Sequence, residues 1–438
     1  MLSRRNILLS VLALCCVLPV FGQENGTYSA YSPYSIYGIG DISKEGSAFN
    51  KGMGGVGIAT RNRRFVNTLN PAAVTARDSS SFMADFGLVQ KNTIFRQNDI
   101  RSGNNTFNIY DFVMSFPIYK SSAFMVGISP FSDVGYDIQL KETNPDIIGN
   151  TGNITYDTYG EGSIYQLFFG AGVTFWKRFS LGVQGIYYFG TLDKVYNVNY
   201  AETSTSSLNS GYSIVARGFT GKFGLQYQQP LGNEISMVVG ATYRMNTSLK
   251  GNTVYYENKV TSDVVDTLIY NEMANGVDNR LRIAGELGVG ISVRQGEKWS
   301  AEFNYLRSDW RDSGFDNYDG YSVQGASVFS ATVSQSFRAG FEIVPNRNDI
   351  RYYFRRCAYR AGVYYDRSYY KLDGNMVNSV GLTLGITLPV FRGYNGLSLG
   401  IDMGQRGSLR GNMVRERYVT FVVGFNIFDI WFQKPRYN

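Results

Sequence analysis

From residue 234 to 246 every second side chain is apolar. Ile235, Met237, Val239, Ala241, Tyr243 and Met245 fall on one face, and Ser236, Gly240, Thr242, Arg244 and Asn246 on the other, with Val238 the one apolar exception. A period of two is the signature of an extended strand with one dry face, because successive side chains point to opposite sides of a pleated backbone. The same reading over 280–294 puts Leu281, Ile283, Leu287, Val289, Ile291 and Val293 outward. Arg282, Ala284, Glu286, Gly288, Gly290, Ser292 and Arg294 then point inward. The pattern returns at 165–175, 329–343, 382–388, 397–403 and 419–427. Fourteen such strands are expected, beginning near residues 81, 104, 122, 162, 179, 210, 234, 279, 298, 327, 355, 376, 396 and 414.

Two architectures bury one face of every strand: a soluble two-sheet sandwich, and a closed barrel whose dry face meets lipid. The connections separate them. Tight ones centre on 120, 176–177, 231–233, 296–297 and 393–395, and alternate with long ones at 137–161, 199–209, 258–278 and 309–325. Short periplasmic turns and long external loops give a membrane barrel this rhythm, and an even strand number lets it close. The connection at 346–349 is longer than its turn class predicts, and those at 374 and 411 are shorter than their loop class predicts. Aromatic strand ends at 187–189 and 425–428 suit interfacial girdles, and closure removes the exposed edges of an open sheet. The expected fold is an all-β, 14-stranded antiparallel transmembrane β-barrel.

Composition agrees. The chain has 33 Tyr, 29 Phe, 49 Gly and only 10 Pro, yet its mean hydropathy is slightly negative, as expected where apolar and polar faces alternate. Beyond the N-terminus there is no apolar run long enough for a membrane helix. Arg4 and Arg5 precede an apolar stretch over 7–21 with small-residue positions at Val20 and Gly22, which reads as a signal peptide over 1–22 and a mature chain from Gln23. Cys15 and Cys16 raise a lipoprotein signal, but Leu14 and Cys15 stand where such a signal needs small residues. Cleavage leaves Cys357 alone, so no intramolecular disulfide can form. The formal charge of +7 falls to +5 without Arg4 and Arg5, a scattered excess that argues for no nucleic-acid partner.

Residues 23–80 differ from the strands. They hold Tyr31, Pro33, Tyr34 and Tyr37, the run Gly52-Met53-Gly54-Gly55-Val56-Gly57, and Asn70-Pro71-Ala72. A barrel of fourteen strands is too wide for its own side chains to fill, so this segment is expected inside as a plug. Gly52, Gly54 and Gly57 also spell GxGxxG, with Asp78 downstream. No apolar strand precedes Gly52 and no βαβ pattern follows, so a dinucleotide site is rejected.

Absent residues limit the chemistry. There is no histidine, which excludes Ser-His triads and His-ligated zinc, and one cysteine cannot build a thiolate metal site. No catalytic residue, metal or cofactor is expected. Asp402 and Glu302 are predicted to face the lumen. Arg244, Arg282, Glu286, Arg338 and Glu342 are also predicted there, with charges of both signs that fit a wet or salt-bridged interior better than an acid/base pair.

The leader, the stretch Gly-Met-Gly-Gly-Val-Gly-Ile-Ala over 52–59, the Asn70-Pro71-Ala72 motif ahead of the first strand and the fourteen strands together resemble the FadL/toluene-channel family of outer-membrane transporters. The ending at 429–434 with Tyr437 resembles Bacteroidetes members. The resemblance implies that residues 23–80 form a hatch gated by Gly52, Gly54, Gly57, Asn70, Pro71 and Ala72, ahead of a barrel over 81–428 and a periplasmic tail over 429–438. It also implies that apolar ligands leave sideways at a kink in the third strand. Pro130 cannot donate a ladder hydrogen bond, so Pro130, with Gly127 before it, is the candidate opening; a simple bulge is the plainer reading.

Two functions follow for a barrel set in outer-membrane lipid. One is passive uptake of hydrophobic or amphipathic small molecules. The other is a non-catalytic subunit of a larger outer-membrane assembly or secretion complex, contacting other outer-membrane or periplasmic proteins. Pro130 and the hatch motif favour the first, and the charged lumen disfavours it. Lys434 and Arg436 in the tail are candidate contacts for a periplasmic partner.

Overall fold

A computed structural model describes residues 30–77, 81–119, 121–200, 208–259, 265–272, 281–315, 327–390, 396–411 and 413–430. The leader, Asp78, the turns at 120 and 393–395 and the tail beyond 430 lie outside the described residues.

The strands are β1 (Ser81–Gln97), β2 (Ile100–Tyr119), β3 (Ser122–Lys141), β4 (Ile154–Phe175), β5 (Phe179–Tyr200) and β6 (Leu208–Gly232). Strand β7 runs through Ile235–Arg244, Thr247–Ser248 and Lys250–Lys259, and β8 through Val265–Glu272, Arg282–Ile283 and Glu286–Gln295. They continue as β9 (Trp299–Asp309), β10 (Phe329–Ala331 and Val333–Ile343), β11 (Ala358–Leu372), β12 (Asn375–Pro389), β13 (Gly396–Arg406) and β14 (Arg415–Ile430). Each pairs antiparallel with the next, and β14 returns to β1, with Ser81 opposite Ile430 and Arg96 opposite Arg415. The ring of fourteen is closed. No helix among the described residues is long and apolar enough to cross a membrane; strands make the crossing.

Alternation places the side chains. Along β8, Leu287, Val289 and Ile291 are exposed, while Gly288, Gly290 and Ser292 between them are buried. In β7, Val239 and Tyr243 face out, and the exception Val238 turns inward with Arg244. The apolar outer band marks the protein as a bacterial outer-membrane β-barrel. Hairpins at the tight end use positive φ, as at Trp176 (48°) and Lys177 (61°), which lets the turn match strand twist.

Two expectations need correction. Much of what reads as long loop is ladder: Asp137 to Lys141 pair with Tyr159 to Thr155, and Asn197 and Val198 pair with Asn209 and Leu208. Above the lipid both faces of a hairpin are wetted, so alternation fades although the backbone stays paired. Second, Leu281 and Ile283 do not face lipid; both are fully buried in the core with Trp310. Ala284 and Gly285 leave the ladder between Arg282–Ile283 and Glu286–Gln295, and this break reverses the facing. Arg282 accordingly lies on the face opposite Ile283, away from the lumen charges.

Candidate functional site

Residues 31–77 make contacts with strands on all sides of the ring. At the level of Gly52, the helical turn α1 (Ala48–Lys51) brings that glycine against the backbone of Gly385, where a Cβ would lie 3.1 Å away. Gly54 has φ +72° and a Cβ there would stand 2.7 Å from the Ala339 carbonyl oxygen, so only glycine fits without strain. Its N–H donates to Thr383 Oγ1 at 2.7 Å. Gly57 packs within the segment, against Asn50 and Leu69.

Asn70 caps the short turn Pro71–Thr75, its Oδ1 accepting from the Ala72 N–H at 3.0 Å. Its Nδ2 donates to the Ile58 carbonyl at 2.7 Å and the Leu225 carbonyl at 3.2 Å. Pro71 lies against Gly182, where a Cβ would approach its carbonyl carbon to 2.3 Å, and Ala72 is fully buried. Sequence reading missed the role of such inward wall glycines. The signal was present as glycine on the polar face of neighbouring strands, but only register shows that they form one seat.

The charged residues form a web. Arg244 Nη1 meets Glu45 Oε1 at 3.4 Å and its Nη2 meets Glu286 at 4.0 Å, while Lys222 Nζ lies 3.0 Å from Glu45 Oε2. Burial pushes the Glu45 carboxyl up, but Lys222 and Arg244 outweigh it and hold the group down at about 2. Burial also lowers the Lys51 ammonium, to about 8, against the pull of Asp111. Arg338 donates to the Gly55 carbonyl at 3.2 Å, and Lys44 meets Asp402 at 3.3 Å. Arg360 holds Glu342 at 2.7 Å with its guanidinium over the rings of Phe49 and Phe65. Glu302 accepts from the Ala59 N–H at 2.8 Å and from the Thr60 hydroxyl.

A cavity of 390 Å³ lies among these groups, lined by Lys44, Glu45, Arg244, Glu286, Arg338 and Asp402. On its other side, the apolar and aromatic layer of Tyr34, Tyr37, Phe131, Trp310, Tyr369 and Tyr370 packs across the interior. The cavity also touches Tyr110 of β2 and Pro130 of β3. There the wall changes. β2 and β3 pair from Tyr119 opposite Ser122 to Phe112 opposite Ile128, whereas β2 continues along β1 to Ile100 and β3 along β4 to Lys141. Beyond Ile128 the edge of β3 is met by the N-terminal segment instead: Asp41–Ile42 lie opposite Asp133 and Ser132, and the Ser43 and Ser32 N–H groups donate to the carbonyls of Phe131 and Gly135. Pro130 pairs with Tyr165 of β4, and the register shifts between it and Ser132. Gly127 sits below, where a Cβ would lie 2.6 Å from the Phe168 ring.

A closed fourteen-stranded barrel with an apolar outer band, a parted seam after its second strand and an N-terminal segment in contact with its wall is an outer-membrane β-barrel whose fold is like that of FadL-type channels. Within that class, the BamG family model matches residues 3–438, and the chain belongs to the BamG family. Solved structures agree on the fold. The Pseudomonas putida toluene transporter TodX is 12% identical over 89% of this chain and 100% of its own, with TM-score 0.58. The Ralstonia pickettii toluene transporter TbuX is 15% identical over 87% and 98%, TM-score 0.56. A Pseudomonas aeruginosa FadL homologue is 10% identical over 90% and 100%, TM-score 0.52. No curated protein matches the chain.

Proposed function

We propose that this barrel works as a non-catalytic subunit of a larger outer-membrane assembly, acting through protein contacts, with residues 31–77 as a fixed plug. One observation carries the reading: charged side chains, among them the pairs Lys44–Asp402 and Arg244–Glu45, stand in the wall of the 390 Å³ cavity between Ile58, Leu69, Phe131 and Trp310, beside a packed aromatic layer. An apolar cargo seated there would lie against Lys44, Glu45, Arg244 and Asp402 and strip water from them without offering a polar partner, which is costly in a buried site. The turn after β10 supplies a contact surface on the side of the barrel termini. Ile350, Tyr352 and Phe354 are exposed there, with the Arg351 and Arg355 guanidinium groups 5.2 and 4.9 Å from the Tyr352 ring. Tyrosine and arginine are the residues that anchor protein interfaces. The test is to capture the tagged, full-length protein from gently solubilised membranes. The same partners in fixed ratio, lost in a Tyr352→Ala/Phe354→Ala variant, support the reading; a barrel recovered alone overturns it.

The second reading, passive uptake of hydrophobic or amphipathic small molecules, is favoured by the seam at Pro130, which the cavity reaches. Gly52, Gly54, Gly57 and Asn70 to Ala72 would then hold the gate, and Gly127 and Pro130 the sideways exit. Accelerated entry of a toluene-like solute into proteoliposomes carrying the protein would support it over the first.

A further inference from the structure

Where β2 parts from β3, a second, very small cavity lies between the wall and the N-terminal segment. Its volume is 10 Å³, and oxygen-bearing side chains line it: Glu45, Thr68, Asp111, Ser129, Gln166 and Gln184. That space holds about one water-sized sphere. Asp111 is 4% exposed, Gln166 4% and Gln184 3%. Neither carboxylate oxygen of Asp111 has a hydrogen-bond partner, nor has the amide oxygen of Gln166 or of Gln184. Gln166 Nε2 donates to Ser129 Oγ at 3.0 Å and to Glu45 Oε1 at 3.5 Å, so its amide is oriented and its oxygen left over.

Charge makes the omission costly. Asp85, also buried, sits two register positions from Asp111 on the same strand pair, Asp85 opposite Val113 and Gly87 opposite Asp111. Among the described residues neither aspartate forms a salt bridge, Lys51 being near enough to feel Asp111 but not within pairing distance, whereas Glu45 is already matched by Lys222 and Arg244. An unmatched buried carboxylate is among the most expensive groups a protein can hold. Four buried oxygens without donors, from three strands, call for a positive centre that needs no hydrogen bonds. Among the described residues no three His, Cys, Asp or Glu side chains are placed together to hold a metal ion, so any cation here would rest on a single carboxylate and neutral oxygens, unlike a zinc site. One carboxylate with amide and hydroxyl oxygens is a set for a hard cation tolerant of irregular geometry, Ca²⁺ more than Mg²⁺.

We propose that this pocket is a cation site that takes Ca²⁺, tying Asp111 of β2 to Gln166 of β4 and Gln184 of β5 across the foot of the parted seam. The inference is independent of which function the barrel serves. Detergent-purified, full-length protein stripped with a chelator is titrated with Ca²⁺, following bound calcium per chain and the melting temperature. The wild type should take up one more Ca²⁺ per chain than Asp111→Asn and show a saturable rise in melting temperature that the variant lacks. Gln184→Leu, which keeps the carboxylate, should weaken uptake at least tenfold and covers the case in which Asp111→Asn does not fold. Equal calcium counts in wild type and either folded variant, or a melting temperature indifferent to Ca²⁺, would overturn the site and leave a protonated acid or a bound water in its place.

Discussion

Phe112 and Ile128 are the last residues through which β2 and β3 pair. Beyond them β2 pairs only with β1, while the free edge of β3 is taken up by the N-terminal segment at Asp41–Ile42, so alternate backbone groups along the β2 edge lack a strand partner. Hydrogen exchange should therefore be faster for the β3-facing amides over 100–111 than for the β5–β6 ladder, which runs unbroken from Phe179 opposite Tyr227 to Val198 opposite Leu208. Equal protection would mean that the seam is closed in the membrane.

Asn70 holds together two parts of the internal segment and the wall. Asn70→Ala removes the cap on Ala72 and the bonds to the carbonyls of Ile58 and Leu225. Each buried group left unmatched costs about 1–3 kcal/mol. The barrel should still form, because its ladder does not involve Asn70, but limited proteolysis should cut within 30–77 where it spares the wild type.

Gly54 is fixed by φ +72° and by the nearness of Ala339. Gly54→Ala should destabilise by about 1–3 kcal/mol, read as a lower urea midpoint for unfolding in detergent. A midpoint equal to wild type would show that the segment is not seated against β10 and β11.

Arg360 is buried, held by Glu342 and covered by two phenylalanine rings. Removing the carboxylate alone leaves a buried charge, so Glu342→Ala should cost about 3–5 kcal/mol. The double change Glu342→Leu/Arg360→Met should recover part of that loss in the same unfolding measurement.

Glu45 sets a pH dependence. Its folded carboxyl titrates at about 2, below the unfolded value of about 4.3. A depressed acid stabilises the fold above its unfolded value, and that contribution disappears as pH falls towards about 2. The wild-type melting temperature should drop through this window. Glu45→Gln should start lower at neutral pH and drop less steeply, and parallel curves would refute the assignment.

The strand count, the closed antiparallel barrel and most of the lipid-facing rows were legible in the sequence. Those features depend on the two-residue period of a strand bathed in lipid on one side, which each segment carries by itself. Tertiary structure alone decided the reversal at Ala284 and Gly285, the partnership of Glu45 with Lys222 and Arg244, and the meeting of Asp111, Gln166 and Gln184. Inside the barrel every neighbour comes from a distant part of the chain. Which polar groups share a cavity is therefore set by register and by the path of residues 31–77, neither of which leaves a periodic trace.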